Sequence, residues 1–140
     1  MYGSSNLVRK YEEQAINTMS SGELIVRLYD EVIKNLKFAS KLFGQGNSKV
    51  ACKCTGKCRN ILNYLIAILN GKYKFSATLS RLYSYMAGQI VITEATSDTS
   101  HIDNIIPQLE ELRSAWTEAE KGLHEKGRPA AQNAKPGVKQ

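Results

Sequence analysis

Long apolar runs are missing from this sequence, and histidine, the side chain most used for acid–base chemistry, is scarce. Its 140 residues contain two histidines, one tryptophan and three prolines. No apolar stretch approaches the roughly 20 residues that cross a bilayer, so the chain is not expected to be membrane-integral. The opening Met1-Tyr2-Gly3-Ser4-Ser5-Asn6 has neither the basic patch nor the apolar stretch of a secretory signal. The expected location is the cytosol. No phosphate-binding glycine loop, zinc-protease motif or nucleophile–base pair is legible, and His101 and His124 stand alone. Asp30-Glu31 and Glu110-Glu111 are acidic pairs, but adjacent residues on a helix do not face each other. The expectation is a protein that is not an enzyme and uses no cofactor and no metal.

Cysteine is scarce and clustered. Cys52, Cys54 and Cys58 form a C-x-C-x3-C pattern, an odd number that does not suggest a disulfide framework in a cytosolic protein. Zinc needs four well-spaced ligands, and the histidines are remote in sequence. Cys54 and Cys58, four apart, share one helical face and read as small core residues, with a metal or redox role as the alternative.

The net charge of +6 is unevenly spread. Lys121, Lys126, Arg128, Lys135 and Lys139 against Glu125 give the last twenty residues +4, leaving +2 for the first 120. A nucleic-acid reader shows a dense basic face with stacking aromatics. Here the basicity belongs mainly to a tail, and no nucleic-acid partner is expected.

Apolar residues recur at steps of three and four, the signature of amphipathic helices. A short helix is expected at 7–17, through Leu7, Val8, Tyr11, Ala15 and Ile16. Ser20-Ser21-Gly22-Glu23 is a capping-box pattern. It opens a helix near 21–44 on Leu24, Ile25, Leu28, Val32, Leu36, Ala39 and Phe43, stopped by Gly44-Gln45-Gly46-Asn47. The next, near 48–70, uses Cys54, Cys58, Ile61, Leu62, Leu65, Ile68 and Leu69, with Gly56 weakening its first half. A helix near 76–96 carries Leu79, Leu82, Tyr83, Met86, Ile90 and Ala95. The last, near 98–122, starts on Asp98 as N-cap and uses Ile102, Ile105, Ile106, Leu109, Leu112 and Trp116. Pro107 lies inside it and implies a kink or a restart, the kink being favoured. No strand is expected. The reading is all-α: an antiparallel four-helix bundle with a short additional N-terminal helix, over residues 1–122, followed by a disordered basic tail, 123–140.

Seven tyrosines against three phenylalanines is a tyrosine-heavy balance. Tyrosine joins apolar area to a polar tip, which suits a surface covered only part of the time. Packing with the hydroxyl at the rim is the plainer reading of any single one. Two Leu-Tyr steps, Leu28-Tyr29 and Leu82-Tyr83, sit on two different helices and suggest an exposed groove that takes a helix.

Several segments together resemble the flagellar secretion chaperone family FliS, over about residues 2–118. They are Met1-Tyr2-Gly3 and Tyr11; Glu23-Leu24-Ile25-Val26-Arg27-Leu28-Tyr29-Asp30; Leu79-Ser80-Arg81-Leu82-Tyr83-Ser84-Tyr85-Met86; and Leu112-Arg113-Ser114-Ala115-Trp116. The chain departs from the family's pattern at Gly22, where proline is common, and at Thr93-Glu94, where Ala-Asn is common. The cysteine cluster, Pro107 and the tail are also outside it. The resemblance implies a cytosolic export chaperone without bond chemistry. Its client would be the disordered C-terminal segment of flagellin, kept from premature polymerisation and delivered to the type III export gate at its FlhA component. A different helical secretion adaptor with another client is the alternative, and a homodimer is conceivable for an empty groove. On this resemblance, client contacts are expected at Leu28, Tyr29, Val32, Leu62, Leu65, Leu69, Leu82, Tyr83 and Met86. Leu7 and Tyr11 would belong to an N-terminal flap that covers apolar surface when cargo is absent.

Overall fold

The apolar stride that begins at Leu24 becomes a helix in the structure, a computed structural model that describes residues 21–126. This helix, α1 (Ser21–Gly44), is followed by α2 (Ser48–Leu69), α3 (Ser76–Thr96) and α4 (Ser100–Lys126). Among the described residues there is no strand. The expected helix at 7–17, the Ser20 capping box and the tail beyond residue 126 lie outside them, but α4 continues to Lys126, four residues into the segment expected as tail.

Local chemistry sets the helix ends. Glu23 in the first turn of α1 and Lys41 in its last complement the helix dipole. Its C-terminus closes with Gly46 at φ +80°. The Asn47 amide donates to the Leu42 carbonyl at 2.8 Å and the Gly46 amide to Phe43 at 3.0 Å, the paired bonds of a Schellman motif. Gly46 takes the left-handed position without the Cβ clash another residue would meet. The N-cap of α4 is Thr99, whose carbonyl accepts the Asp103 amide at 2.8 Å, while Asp98, expected there, sits one residue earlier and accepts the Ser100 amide at 3.0 Å. The hydrogen bonds at Ser100 hold the Asp98 carboxyl below its ordinary pKa. Pro107 does not restart the helix. α4 runs through it as one helix, without the bond that another residue at 107 would donate to the Asp103 carbonyl.

Each helix packs on two neighbours: α1 on α2 and α4, and α3 on α2 and α4. That closes a four-helix ring. The pairings show the directions. Down α1 and up α4 come Ser40 with Asp103 at 2.8 Å, Lys37 with Glu110 at 3.0 Å, and Asp30 with Arg113. Partners that move in opposite senses mean antiparallel helices, as the short connections require. The Thr55 hydroxyl and the Arg59 guanidinium both donate to Glu94 Oε2, at 2.5 and 3.1 Å, tying the start of α2 to the end of α3.

The core is the set of inward stripes. Leu28, Val32, Leu36, Ile61, Leu62, Leu65, Met86, Ile90, Ile102, Ile105 and Leu109 are fully buried. Ile68, Leu82, Ile106, Leu112 and Trp116 pack against this core while partly buried. Ala95, expected on the inward face of α3, is exposed instead. It follows Ile90 by five residues, and a five-residue step rotates too far to stay on one face. Truncating a central side chain should be costly: Leu65→Ala is expected to lose about 2–5 kcal/mol in urea denaturation. Phe38→Ala, at a side chain 52% exposed, should change stability by less than about 0.5 kcal/mol.

Candidate functional site

Two tyrosines meet at the centre of the bundle. Tyr29 of α1 and Tyr83 of α3 are fully buried, their ring centroids 6.3 Å apart and tilted by 54°. Their hydroxyls hydrogen-bond to each other. α1 and α3 share no packed face, so these side chains cross the ring's diagonal. Burial pushes Tyr83 up to about 12 from its ordinary 10.0, against the hydrogen bond from Tyr29, which lowers it. Burial, then Tyr83 itself, raises Tyr29 further, while hydrogen bonding from Trp116 acts the other way.

One helical step along α1, Asp30 forms a two-pronged ion pair with Arg113 of α4, the second contact being 3.4 Å. Both partners are more than a third exposed, so the pair contributes at most about 1 kcal/mol and serves mainly to fix register. Three residues beyond Arg113, Trp116 meets Tyr73 and Phe75 edge-on, at 5.9 and 6.1 Å between centroids. Tyr73 and Phe75 stack at 4.9 Å. The Leu28-Tyr29-Asp30, Leu82-Tyr83 and Arg113-to-Trp116 segments thus converge on one level of the bundle.

Gly22 explains itself here. A Cβ at this buried position would lie 1.7 Å from Glu120 Oε2, so the absent side chain leaves room for a carboxylate against the first turn of α1. That is the positive end of the helix dipole. Glu120 also faces Tyr73, whose pKa is raised by burial first and by this charge second.

The structure brings the residues nominated from sequence together, but inside the bundle. Leu28, Tyr29, Val32, Leu62, Leu65, Tyr83 and Met86 have no exposed surface, Leu69 has 1%, and Leu82 is partly buried against the core. Apart from Leu69, which reaches a cleft at the bundle end, side chains so enclosed form no open groove in this conformation. Their positions read alike for core and for groove because both lie on the apolar stripe of an amphipathic helix. Leu7 and Tyr11 lie outside the described residues.

The exposed large apolar side chains are residues that the periodicity passes over. On the outside of α3, Tyr85 is 51%, Val91 50% and Ile92 39% exposed. From Leu82 to Thr96 this helix has a single charged residue, Glu94, and that carboxylate is engaged by Thr55 and Arg59. A helix apolar on both faces is one that expects cover on both. A second surface lies at the bundle end where α1 starts. There Leu24, Ile25, Tyr64, Ile68, the nominated Leu69 and Tyr73 line a cleft of ≈ 170 Å³, with Ser21 and Lys72 as its polar members. The exposed Tyr73–Phe75 stack continues it. Val91 and Ile92 next to Ile90 were the sequence signal for the outer stripe: three consecutive β-branched residues cannot all face inward.

The cysteines are packing residues. Cys54 and Cys58 are buried, and the Cys58 thiol donates to the Val32 carbonyl at 3.6 Å, its burial raising the pKa. Cys52 is partly exposed, and its thiol is also raised, by burial and then by Glu94. Among the described residues, no three His, Cys, Asp or Glu side chains come close enough to hold a metal ion.

The Leu-Tyr-Asp, Leu-Tyr and Leu-Arg-x-x-Trp segments that meet at one level of this ring all lie within a stretch that a known family's profile matches. The profile of the family described as Flagellar protein FliS matches residues 4–123. The chain belongs to the FliS family. It is also 26% identical over 109 residues to the Flagellar secretion chaperone FliS of Bacillus subtilis (strain 168), covering 78% of this chain and 82% of that protein. In this FliS-family chain, the motif residues that carry the resemblance are mostly the ones that hold the bundle together.

Two measurements check the tyrosine pair. Tyr29→Phe leaves the buried Tyr83 hydroxyl without its partner, at a cost of about 1–3 kcal/mol, whereas Tyr83→Phe should cost less because Trp116 still bonds Tyr29. The double variant should cost less than the two together, as a double-mutant cycle in urea would read. Between pH 10 and about 12 the unfolded chain's tyrosines release protons that folded Tyr83 keeps, so stability should fall over that window. The double phenylalanine variant should show a shallower fall, and an unchanged slope would contradict the assignment.

Proposed function

We propose that this chain is a non-enzymatic flagellar export chaperone that binds the disordered C-terminal segment of flagellin on the outside of an intact bundle. Membership of the FliS family supports the flagellar role. The observation that carries the binding mode is the uncovered apolar stripe of α3, Tyr85, Val91 and Ile92, together with the cleft at Leu24, Ile25 and Ile68. Of the nine residues nominated from sequence, Leu69 lines the cleft, and the others, among them Leu28, Tyr29 and Met86, act behind this surface by keeping α1, α2 and α3 in place.

The physics is coupled folding and binding. An extended or helical client segment fills the apolar stripe, and the cost of ordering it offsets much of the contact energy. Affinity stays moderate, as release at the export gate demands. With its apolar residues covered, the client cannot pair with other flagellin molecules in the cytosol. The segment carrying Leu7 and Tyr11 joins α1 at Ser21, beside the cleft. In this reading it is the flap that covers the cleft when cargo is absent and takes part in docking on FlhA. Without client or flap, apolar surface of this kind promotes self-association.

Co-expression with the C-terminal segment of the same organism's flagellin is the direct test. A soluble complex should form and survive deletion of residues 123–140. Tyr85→Asp with Ile92→Asp should weaken it at least about tenfold while leaving the circular dichroism unchanged. Tyr29→Ala with Met86→Ala should instead lower the thermal midpoint, because these side chains are core. Absence of any complex with the unmodified chain would refute the reading and favour another secretion client.

A further inference from the structure

The fold leaves one strongly charged face unexplained. α2 has no acidic residue in its 22 positions, but it carries Lys49, Lys53, Lys57 and Arg59. Arg59 is neutralised by Glu94 at 3.1 Å. Lys49, Lys53 and Lys57 recur every four residues and form one ridge along the helix. Among the described residues, no carboxylate lies within ion-pair distance of these three or of Lys41 on α1, whereas Lys34 is paired with Glu31 and Lys37 with Glu110. The opposite sign collects on α4, which has six acids against three Lys and Arg.

This ridge works against its own helix. Like charges four apart repel, and cations in the first turns oppose the positive end of the dipole. Asn47, at the N-cap, makes no side-chain capping bond. A local rule broken with no gain in packing marks a site kept for another purpose. An anion would satisfy the ridge and the uncapped helix start together.

Beside the ridge is an apolar anchor point. The Cys58 thiol touches the Val32 carbonyl, and Ile25 shares a cleft with Leu69. This antiparallel register sets Phe38 level with the first two turns of α2. Phe38 is 52% and Val50 40% exposed, and Lys34 and Lys41 flank Phe38 one turn away on either side. Thr55 and Arg59 face α3 through Glu94, so Val50, Lys53 and Lys57, on the other flank of α2, border the outer α1–α2 groove.

We propose that this lysine-lined groove between α1 and α2 is a second docking surface, for an acidic amphipathic helix of a partner protein. A groove between two helices has the shape to take a third. Carboxylates at four-residue spacing meet the lysine ridge, and an apolar side chain seats on Phe38 and Val50. The lysine-lined end of this groove, around residues 34–41 and 49–57, is separate in sequence from the cleft at its other end and from the outer side chains of α3. The proposal stands whether or not flagellin is the client.

The test uses the full chain and a fluorescein-labelled synthetic helix with Glu and Leu at amphipathic positions, followed by fluorescence anisotropy. Binding is expected, at least about tenfold weaker for the same composition scrambled to destroy the apolar stripe. Lys49→Glu with Lys53→Glu should reduce affinity at least about tenfold, since it reverses complementary charges. That variant should melt higher than the parent, because acids now sit at the helix start, so loss of binding would not be loss of fold. Phe38→Ala should weaken the amphipathic helix and leave the scrambled one unchanged. Lys74→Glu with Lys121→Glu, the same charge change elsewhere, should have less than a twofold effect. Equal binding of the scrambled peptide, or equal loss in the control variant, would reduce the face to solvated charge and overturn the proposal. So would an RNA oligomer that competes more strongly than the peptide.

Discussion

The hydrogen bond between the Tyr29 and Tyr83 hydroxyls is the contact on which the rest of the bundle depends. Apolar packing is largely non-directional, and four greasy stripes can slide or rotate past one another at modest cost. A buried hydroxyl pair is different, because each partner left alone carries a full desolvation penalty. This pair spans α1 and α3, the two helices that share no packed face. It therefore fixes a relation that the neighbouring contacts do not. Asp30 with Arg113, at the next step, sets the register of α4 on α1.

With the inside specified in this way, the outside is free to be apolar. α3 needs only Leu79, Tyr83, Met86 and Ile90 for the core, and its outer Tyr85, Val91 and Ile92 are surplus to folding. The same division holds at the bundle end, where the Tyr73–Phe75 stack leans on Trp116 but stays open to solvent. A closed core with an apolar exterior suits the proposed task of holding an unfolded client. The lysine ridge of α2 is a third region where folding asks for nothing and the surface is nonetheless distinctive.

Much of the fold was legible because its signals are local. Steps of three and four residues, Gly46 past the end of α1 and Asp98 ahead of α4 each report a backbone state through one residue's own chemistry. The inside–outside assignment of the tyrosines was not legible. Tyr29 and Tyr85 are the same residue in similar company, yet one has no exposed surface and the other is half exposed. The difference comes from which helix lies opposite, a fact about three dimensions. The Glu120 carboxylate at Gly22 was invisible for the same reason, being a contact between positions nearly one hundred residues apart. Family resemblance compounds the difficulty, since a motif preserved for packing and one preserved for binding look alike along the chain.

The central claim is that the client is held on the outside of a bundle whose core stays closed. Hydrogen–deuterium exchange of the full chain, with and without the flagellin C-terminal segment, tests it most directly. The account predicts that amides around Tyr29, Leu62 and Tyr83 remain as protected in the complex as in the free chain. It also predicts that protection is gained along the outer part of α3 and at the α2–α3 turn beside the cleft. Faster exchange at Tyr29, Leu62 and Tyr83 on binding would mean that the client enters the core, and would contradict it.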